Sequence, residues 1–428
     1  MSRPASVKTV LLQFAGPDRP GLLAELTSTL ARQQVAILDI GQAVVHETLA
    51  LGILCEVGSG TGSGADLKAG LPALRRELKN RARALGLQVR CSTVPRGALQ
   101  HWMGAVPTSH FLVTMLGRAI SADQLARVSA ILAIHGMRVD RIERLSGPLK
   151  PAPGQTNACV EFAVSGDPTR EQAMRAEFLA AAQELAIDIA CQRQSIFRRN
   201  RRLFVFDMDS TLIQGEVIDE LARMAGVGSE VEKITEAAMR GELNFDESFT
   251  RRVGLLKGLS AERALSLRQT IPLAEGAERL MQMLKLLGYK TAILSGGFTF
   301  FATHLQQRLG IDFVCANTLD IADGLVTGRV VPPIMNGARK AEMLGEIAKR
   351  EGISLEQVVA VGDGANDIPM LNLAGMGIAY RAKPLVRQRA DQSLSCLGLD
   401  GLLYLLGVRD RDVESAQASA EEPVKRHA

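Results

Sequence analysis

Leu203 to Leu212 reads LFVFDMDSTL, and the rest of the chain is arranged around it. Leu203, Phe204, Val205 and Phe206 run without a polar break, which predicts a parallel strand buried on both faces. Asp207 and Asp209 then arrive two positions apart, where that strand ends. Open α/β sheets collect ligands in the crevice outside the carboxyl ends of their strands, so such a fold places its chemistry here. Asp and Ser also serve turns and helix caps, and a lone D-x-D after a strand decides nothing by itself. Three further stretches give it meaning.

Attack on a phosphate ester by water needs a nucleophile, a proton for the leaving oxygen, and cations to offset spreading negative charge. The Asp207 carboxylate, at an ordinary pKa, is ionised at neutral pH and can form an aspartyl phosphate. Asp209 can donate the proton and later take one from water. In Lys290 to Gly297, KTAILSGG, an apolar strand ends in Ser295, Gly296 and Gly297, whose hydroxyl and N–H groups can cradle phosphate oxygens. Lys340, after Gly337 to Arg339, reads alone as a solvated charge. Val358 to Asp367, VVAVGDGAND, is another buried strand, and it ends in Asp363, Asn366 and Asp367, the oxygen ligands that Mg²⁺ requires. Two acidic strand ends in one domain repel unless a cation lies between them, which makes a divalent ion the natural cofactor.

A length of 428 residues suggests about three domains, and 46% hydrophobic with 22% charged residues is the balance of a globular chain able to bury full cores. No apolar run reaches the roughly 18 residues of a membrane span, and Met1 to Lys8 lacks the apolar segment of a signal peptide, so the expectation is a cytoplasmic protein without a membrane partner. The six cysteines are scattered singly, as reduced core residues are. A net charge of +4, one Trp and three Tyr argue against nucleic acid. Arg198, Arg199, Arg201 and Arg202 read as a solvated linker end.

Before the central strand, two copies of a βαββαβ pattern are expected. In the first, Val10 to Phe14 is a strand, GPDRPG at Gly16 to Gly21 breaks it, and Leu22, Leu23, Leu26 and Leu30 recur at helical spacing. Strands over 36–46 and 49–57, a helix over 65–85 and a strand over 87–94 complete it. The second has strands over 111–116, 139–145, 159–164 and 187–191. Its helices cover 121–136, opening with a capping box at Ser121 and Gln124, and 170–185. Expected domains are thus 1–97, 98–195 and 200–408, with a polar, disordered tail over 409–428.

At GPDRPGLL the first copy resembles the ACT domain, a ferredoxin-like fold that often binds amino acids and pairs with other copies. The resemblance implies a homodimer and a regulatory amino-acid site at Gly16, Asp18, Arg19 and Gly21, with L-serine as the obvious effector. Physically, glycines let backbone amides approach a ligand, and a helix N-terminus favours its carboxylate. The second copy has LGRAIS at Leu116 to Ser121, which keeps Gly117 and Arg118 but lacks the Asp and Pro.

The four later stretches together resemble the haloacid dehalogenase superfamily: DxDST, SG, a distant Lys and GDGxND, in that order. The resemblance implies a Rossmann-like α/β core with a helical cap over about 213–275, Asp207 as nucleophile and Asp209 as acid and base. It further implies Mg²⁺ on Asp207, the Asp209 carbonyl and Asp363, with Asp367 supporting and Ser295, Gly296, Lys340 and Asn366 at the substrate. Within the cap, EVIDELA at Glu216 and FDESFTRRVGLLKGL at Phe245 resemble the phosphoserine phosphatase family. That likeness carries Glu216 to the substrate ammonium, Arg252 to its carboxylate, and Met239 and Phe245 to an apolar wall. Its implied substrate is O-phospho-L-serine, and its implied place is the last step of serine biosynthesis. A phosphatase or phosphotransferase for another small phosphate, and an amino-acid-sensing regulator, stand as alternatives.

Overall fold

The computed structural model describes residues 8–57, 71–99, 109–147 and 157–421. It divides into two units, Met1–Val106 and Pro107–Ala428. In the first, β1 (Lys8–Pro17), α1 (Leu22–Arg32), β2 (Ala36–Val45), β3 (Thr48–Val57), α2 (Leu71–Ala84) and β4 (Gln88–Val94) form an antiparallel sheet in the order β2-β3-β1-β4. Strand alternation is the cause. Val10, Leu12 and Phe14 of β1 share a face with Leu49, Leu51, Ile53 and Cys55 of β3, and onto it pack Leu26 and Leu30 of α1 and Leu74 and Leu78 of α2. Residues 65–70 of the expected second helix lie outside the described residues. β2, at the sheet edge, is exposed along its whole length, with Ile37, Leu38, Ile40, Val44 and Val45 open.

The second unit begins with the same arrangement: β5 (Ser109–Gly117), α3 (Ala122–Ile134), β6 (Arg138–Arg144), β7 (Ala158–Gly166), α4 (Glu171–Leu185) and β8 (Asp188–Arg193), in sheet order β6-β7-β5-β8. The capping box of Ser121 and Gln124 opens α3 as expected.

The third domain is a seven-stranded sheet, β12-β11-β10-β9-β13-β14-β15, with β9 (Leu203–Phe206) at its centre and buried throughout. β10 (Lys290–Phe298) and β13 (Val358–Gly362) pair with β9 in parallel, one on each side, so the three motif-bearing strands end side by side. β14 (Met376–Tyr380) and β15 (Gln392–Leu394) extend one flank, and β11 (Phe313–Ala322) with β12 (Leu325–Val331) forms a hairpin on the other. The cap comprises α5 (Val217–Ala225), α6 (Gly228–Met239), α7 (Phe245–Leu255) and α8 (Ala261–Ser266). It leaves and rejoins the core at one place, where Ile213 bridges Leu273, the Gln214 N–H donates to the Pro272 carbonyl (2.9 Å) and the Ala274 N–H donates to the Leu212 carbonyl (2.9 Å).

Two expectations are corrected. The tail is not disordered through 410–421, where it forms a helix, Asp410–Glu421; residues 422–428 lie outside the described residues. Long-range partners hold it: the Asp410 carboxylate accepts from the Gly147 N–H (2.7 Å) and the Tyr404 hydroxyl (2.8 Å), and Val413 is buried in the core. Nor is Arg198 a solvated linker residue. It is 5% exposed, pairs with buried Glu161 of β7, and donates from Nε to the Leu405 carbonyl (3.1 Å).

Candidate active site

Because β9, β10 and β13 end together, the residues that follow them converge. Asp207 and Asp209 leave β9, Ser295 to Gly297 close β10, and Asp363 to Asp367 follow β13. Lys340 comes from α11 (Gly337–Arg350), the helix after β12, where it is fully buried. Its Nζ lies 2.8 Å from Asp207 Oδ1 and 2.7 Å from Asp367 Oδ1. A lysine that reads as a solvated charge in sequence is thus the counter-ion of two buried carboxylates. Burial alone lowers the pKa of such an ammonium, but Asp207 and Asp367 outweigh it and raise it.

Asp367 is engaged at both oxygens. Its Oδ1 accepts from Lys340, and its Oδ2 accepts from the backbone N–H groups of Asp363 (3.1 Å) and Gly364 (2.9 Å). Gly362 is obligatory beneath it, since an added Cβ would sit 2.5 Å from the Asp367 carboxyl. Asp207, Asp363 and Asp367 hold carboxylate oxygens within 4.8 Å of one another. With Asp367 fully engaged, Asp207 and Asp363 are the two with capacity to spare. Burial, reinforced by the other acids, pushes Asp207 up to about 7 and Asp363 up to about 8. An all-oxygen set of crowded carboxylates fits a hard divalent cation, whose charge relieves that repulsion.

Asp209 is set apart from this cluster. It is 8% exposed, and its Oδ1 accepts from the Val217 N–H at the start of the cap (2.8 Å). Burial first, then the nearby Glu216 and Asp207 charges, raises its pKa well above the ordinary carboxylate value, which favours its protonated form. Its other oxygen lies where a Cβ at Gly297 would be, 2.4 Å away, so position 297 has no room for a side chain. The SGG turn is fixed from behind: Asn317 Nδ2 donates to the Gly296 carbonyl (2.8 Å), and Ser295 Oγ accepts from the Gly297 N–H (2.9 Å).

Above these groups the cap encloses a cavity of about 640 Å³. Asp207, Asp209, Gly296, Asp363 and Asn366 line it from the core; Glu216, Phe245 and Arg252 line it from the cap. Ser295 and Lys340 are fully buried beneath that lining. The Met239 side chain lies outside the described residues. Glu216 caps the start of α5 and accepts from Ser210 Oγ (3.0 Å), and burial raises its pKa. Arg252, on α7, is drawn down by burial and supported by Glu216, and its Nε has no hydrogen-bond partner among the described residues. Gly16, Asp18, Arg19 and Gly21 belong to the first unit and are not among the residues that line this cavity. There Gly21 has φ 92° before α1, and an added Cβ on Gly16 would lie 2.8 Å from Leu87 Cδ2. Asp18 and Arg19 are exposed.

The sequence reading missed several cavity residues: Asp219 on α5, Ser248 on α7, and Lys383, which follows β14. It also missed Thr211, whose hydroxyl lies 3.3 Å from Asp363 Oδ1. Thr211 carried a signal, being part of DxDST; a serine in an amphipathic helix and a lysine after a strand carried none.

Comparison with known proteins agrees with this arrangement. A family model for haloacid dehalogenase-like hydrolases matches residues 201–375, and two ACT domain models match residues 8–92 and 108–192. The chain is 40% identical to a phosphoserine phosphatase of Streptomyces coelicolor over 98% of its own length and 97% of that protein's. It is 39% identical to phosphoserine phosphatase SerB2 of Mycobacterium tuberculosis, with 97% of each chain covered. Among solved structures, a probable phosphoserine phosphatase from Vibrio cholerae is 32% identical, with TM-score 0.55, covering 73% of this chain and 89% of that one. With both sequence matches running almost end to end, the chain belongs to the phosphoserine phosphatase family of haloacid dehalogenase-like hydrolases that carry two N-terminal ACT domains.

Proposed function

We propose that the protein hydrolyses O-phospho-L-serine to L-serine and phosphate, the closing step of serine synthesis, through an aspartyl phosphate on Asp207. One observation carries the substrate: a single cavity with a carboxylate, Glu216, and an unsatisfied guanidinium, Arg252, on its cap side, opposite the Asp207 cluster. A phosphorylated amino acid presents one cation and two anions, and these groups meet them separately. Glu216 takes the ammonium, Arg252 the carboxylate, and Phe245 the methylene.

Asp207 attacks phosphorus while Asp209, held protonated by its burial, gives its proton to the departing serine oxygen. Asp209, now a base, takes a proton from the water that attacks the aspartyl phosphate. Lys340 opposes the upward push of burial on Asp207 and aims its carboxylate, and with Ser295, Gly296 and Asn366 it meets the phosphoryl oxygens. Asp207, Asp363 and the Asp209 carbonyl would hold Mg²⁺, with Asp367 orienting its neighbours. When bound, that ion offsets the negative charge of the transferring group. The cap excludes bulk water during transfer.

The same reading assigns L-serine or a related amino acid to the GPDRPG turn as a regulatory ligand, and a homodimer to the ACT modules. The exposed apolar row of β2 supports the pairing. Cytoplasmic residence is consistent with the finding that no described helix is long and apolar enough to cross a membrane.

The test is phosphate release from O-phospho-L-serine with Mg²⁺, comparing wild type with Asp207→Asn and Arg252→Ala. Release that vanishes in the first and falls strongly in the second supports nucleophile and clamp. Asp207-dependent release from another ester, with none from phosphoserine, refutes the substrate.

A further inference from the structure

Helix α7 carries its cavity-facing groups on one stripe. Phe245, Ser248, Phe249 and Arg252 recur at spacings of three and four, and all line the active-site cavity. The aromatic pair is accounted for: Phe245 stacks on Phe249 (5.9 Å between centroids), and Phe249 leans on Phe298 (5.8 Å). The two polar members are not. Ser248 is 2% exposed, yet its Oγ has no hydrogen-bond partner among the described residues, and Arg252 Nε, one turn further on, has none either.

A helical serine or threonine without another partner ordinarily turns its hydroxyl onto the carbonyl four residues back. This chain does so elsewhere. Thr27 donates to the Leu23 carbonyl (2.7 Å), Thr29 to Glu25 (3.0 Å) and Thr235 to Val231 (3.0 Å). Ser248 departs from that habit, and the Asn244 carbonyl four residues back receives only the Ser248 N–H (3.0 Å). Ser248 and Arg252 thus place two donor atoms without partners among the described residues on successive turns of one helix, and both residues line the same cavity.

We propose that Ser248 is a specificity-determining residue: its hydroxyl donates to one oxygen of the substrate carboxylate while Arg252 holds the other. The inference rests on the reading of phosphoserine as substrate and extends its clamp from one residue to two. It predicts selection against esters that have an amine but no carboxylate, because they leave both donors buried and unpaired.

Wild type and Ser248→Ala are compared on O-phospho-L-serine and on O-phosphoethanolamine, which lacks only the carboxylate. A hydrogen bond to a charged group predicts a KM for phosphoserine raised roughly 10- to 100-fold, with kcat little changed. The ratio of kcat/KM between the two substrates falls by a similar factor. Without substrate, removing an unpaired buried hydroxyl leaves the melting temperature equal or higher, which a structural serine would not do. Equal losses on both substrates, an unmoved KM for phosphoserine, or a clear fall in melting temperature would each overturn the proposal. A wild type that releases phosphate from phosphoethanolamine but not from phosphoserine refutes the substrate reading itself, and the carboxylate seat with it.

Discussion

Lys340 shows how much a single charge can decide. Fully buried between Asp207 and Asp367, it balances acids that have no other cationic side chain within hydrogen-bond reach among the described residues. Removing one partner of a buried ion pair costs about 3–5 kcal/mol, because the other is left uncompensated. Lys340→Ala is therefore expected to lose phosphatase activity and to unfold at markedly lower denaturant, the second read by urea titration followed by circular dichroism. Gly297→Ala is the steric counterpart. Its methyl would meet Asp209 Oδ2 at 2.4 Å, so kcat should fall by roughly 100-fold or more, the usual scale of a general acid's contribution, while phosphoserine still binds. The acids at Asp207–Asp209 and Asp363–Asp367 were legible in sequence because each group follows a short apolar run and the motifs occur together in order, which no one of them could establish alone. Lys340 gained its role only from the company of those motifs, and Ser248 offered nothing, since its significance is a missing partner that only packing reveals.

Among the elements, the cap is joined to the core by more than its two connecting strands. Asn336, whose Oδ1 caps α11 by accepting from the Arg339 N–H (3.1 Å), also donates from Nδ2 to both oxygens of Asp246 on α7 (3.1 and 3.2 Å). One asparagine thus fixes the helix that delivers Lys340 and tethers the helix that bears Arg252. Asp246→Ala keeps the cap of α11 but frees α7. It is expected to raise KM for phosphoserine by about 5- to 20-fold, the worth of a charged hydrogen bond partly lost to water, and to speed proteolysis within the cap. The helical cap expected over about 213–275 is where α5, α6 and α7 lie, and α5 and α7 each bury one face of the helix. Periodicity failed for Asp410–Glu421, a polar segment whose first residue is held by Gly147, a partner 263 positions away that local composition cannot register.

Across the molecule, the second ACT module and the phosphatase core form one unit, and the contacts between them run from fully buried to half-exposed. Arg198 pairs with Glu161, the Asp188 carboxylate accepts from the N–H groups of Ser395 (2.8 Å) and Cys396 (2.7 Å), and Arg118, in the second copy of the GPDRPG turn, pairs with Glu275 beside the cap junction. Arg198→Ala should cost about 3–5 kcal/mol of unfolding free energy, measured by denaturant titration. Exposed apolar β2 gives a separate expectation for the first unit. Ile40→Lys, at a residue 47% exposed, should shift the protein toward monomer in sedimentation velocity without lowering its melting temperature. The repeat and the domain order were readable from the sequence, but this docking was not, because none of its partners is near another along the chain.

Gln392 makes the point most sharply. Its side-chain amide both donates to the Cys191 carbonyl (2.9 Å) and accepts from the Cys191 N–H (3.0 Å), supplying strand β8 with the pairing that a further strand would give. The two residues are 201 positions apart. At a synthesis rate of about 5–20 residues per second, β8 leaves the ribosome on the order of 10–40 s before its partner does. Throughout that interval the newborn module presents an open strand edge to its surroundings, so the residue that closes this edge is made well after the module it closes.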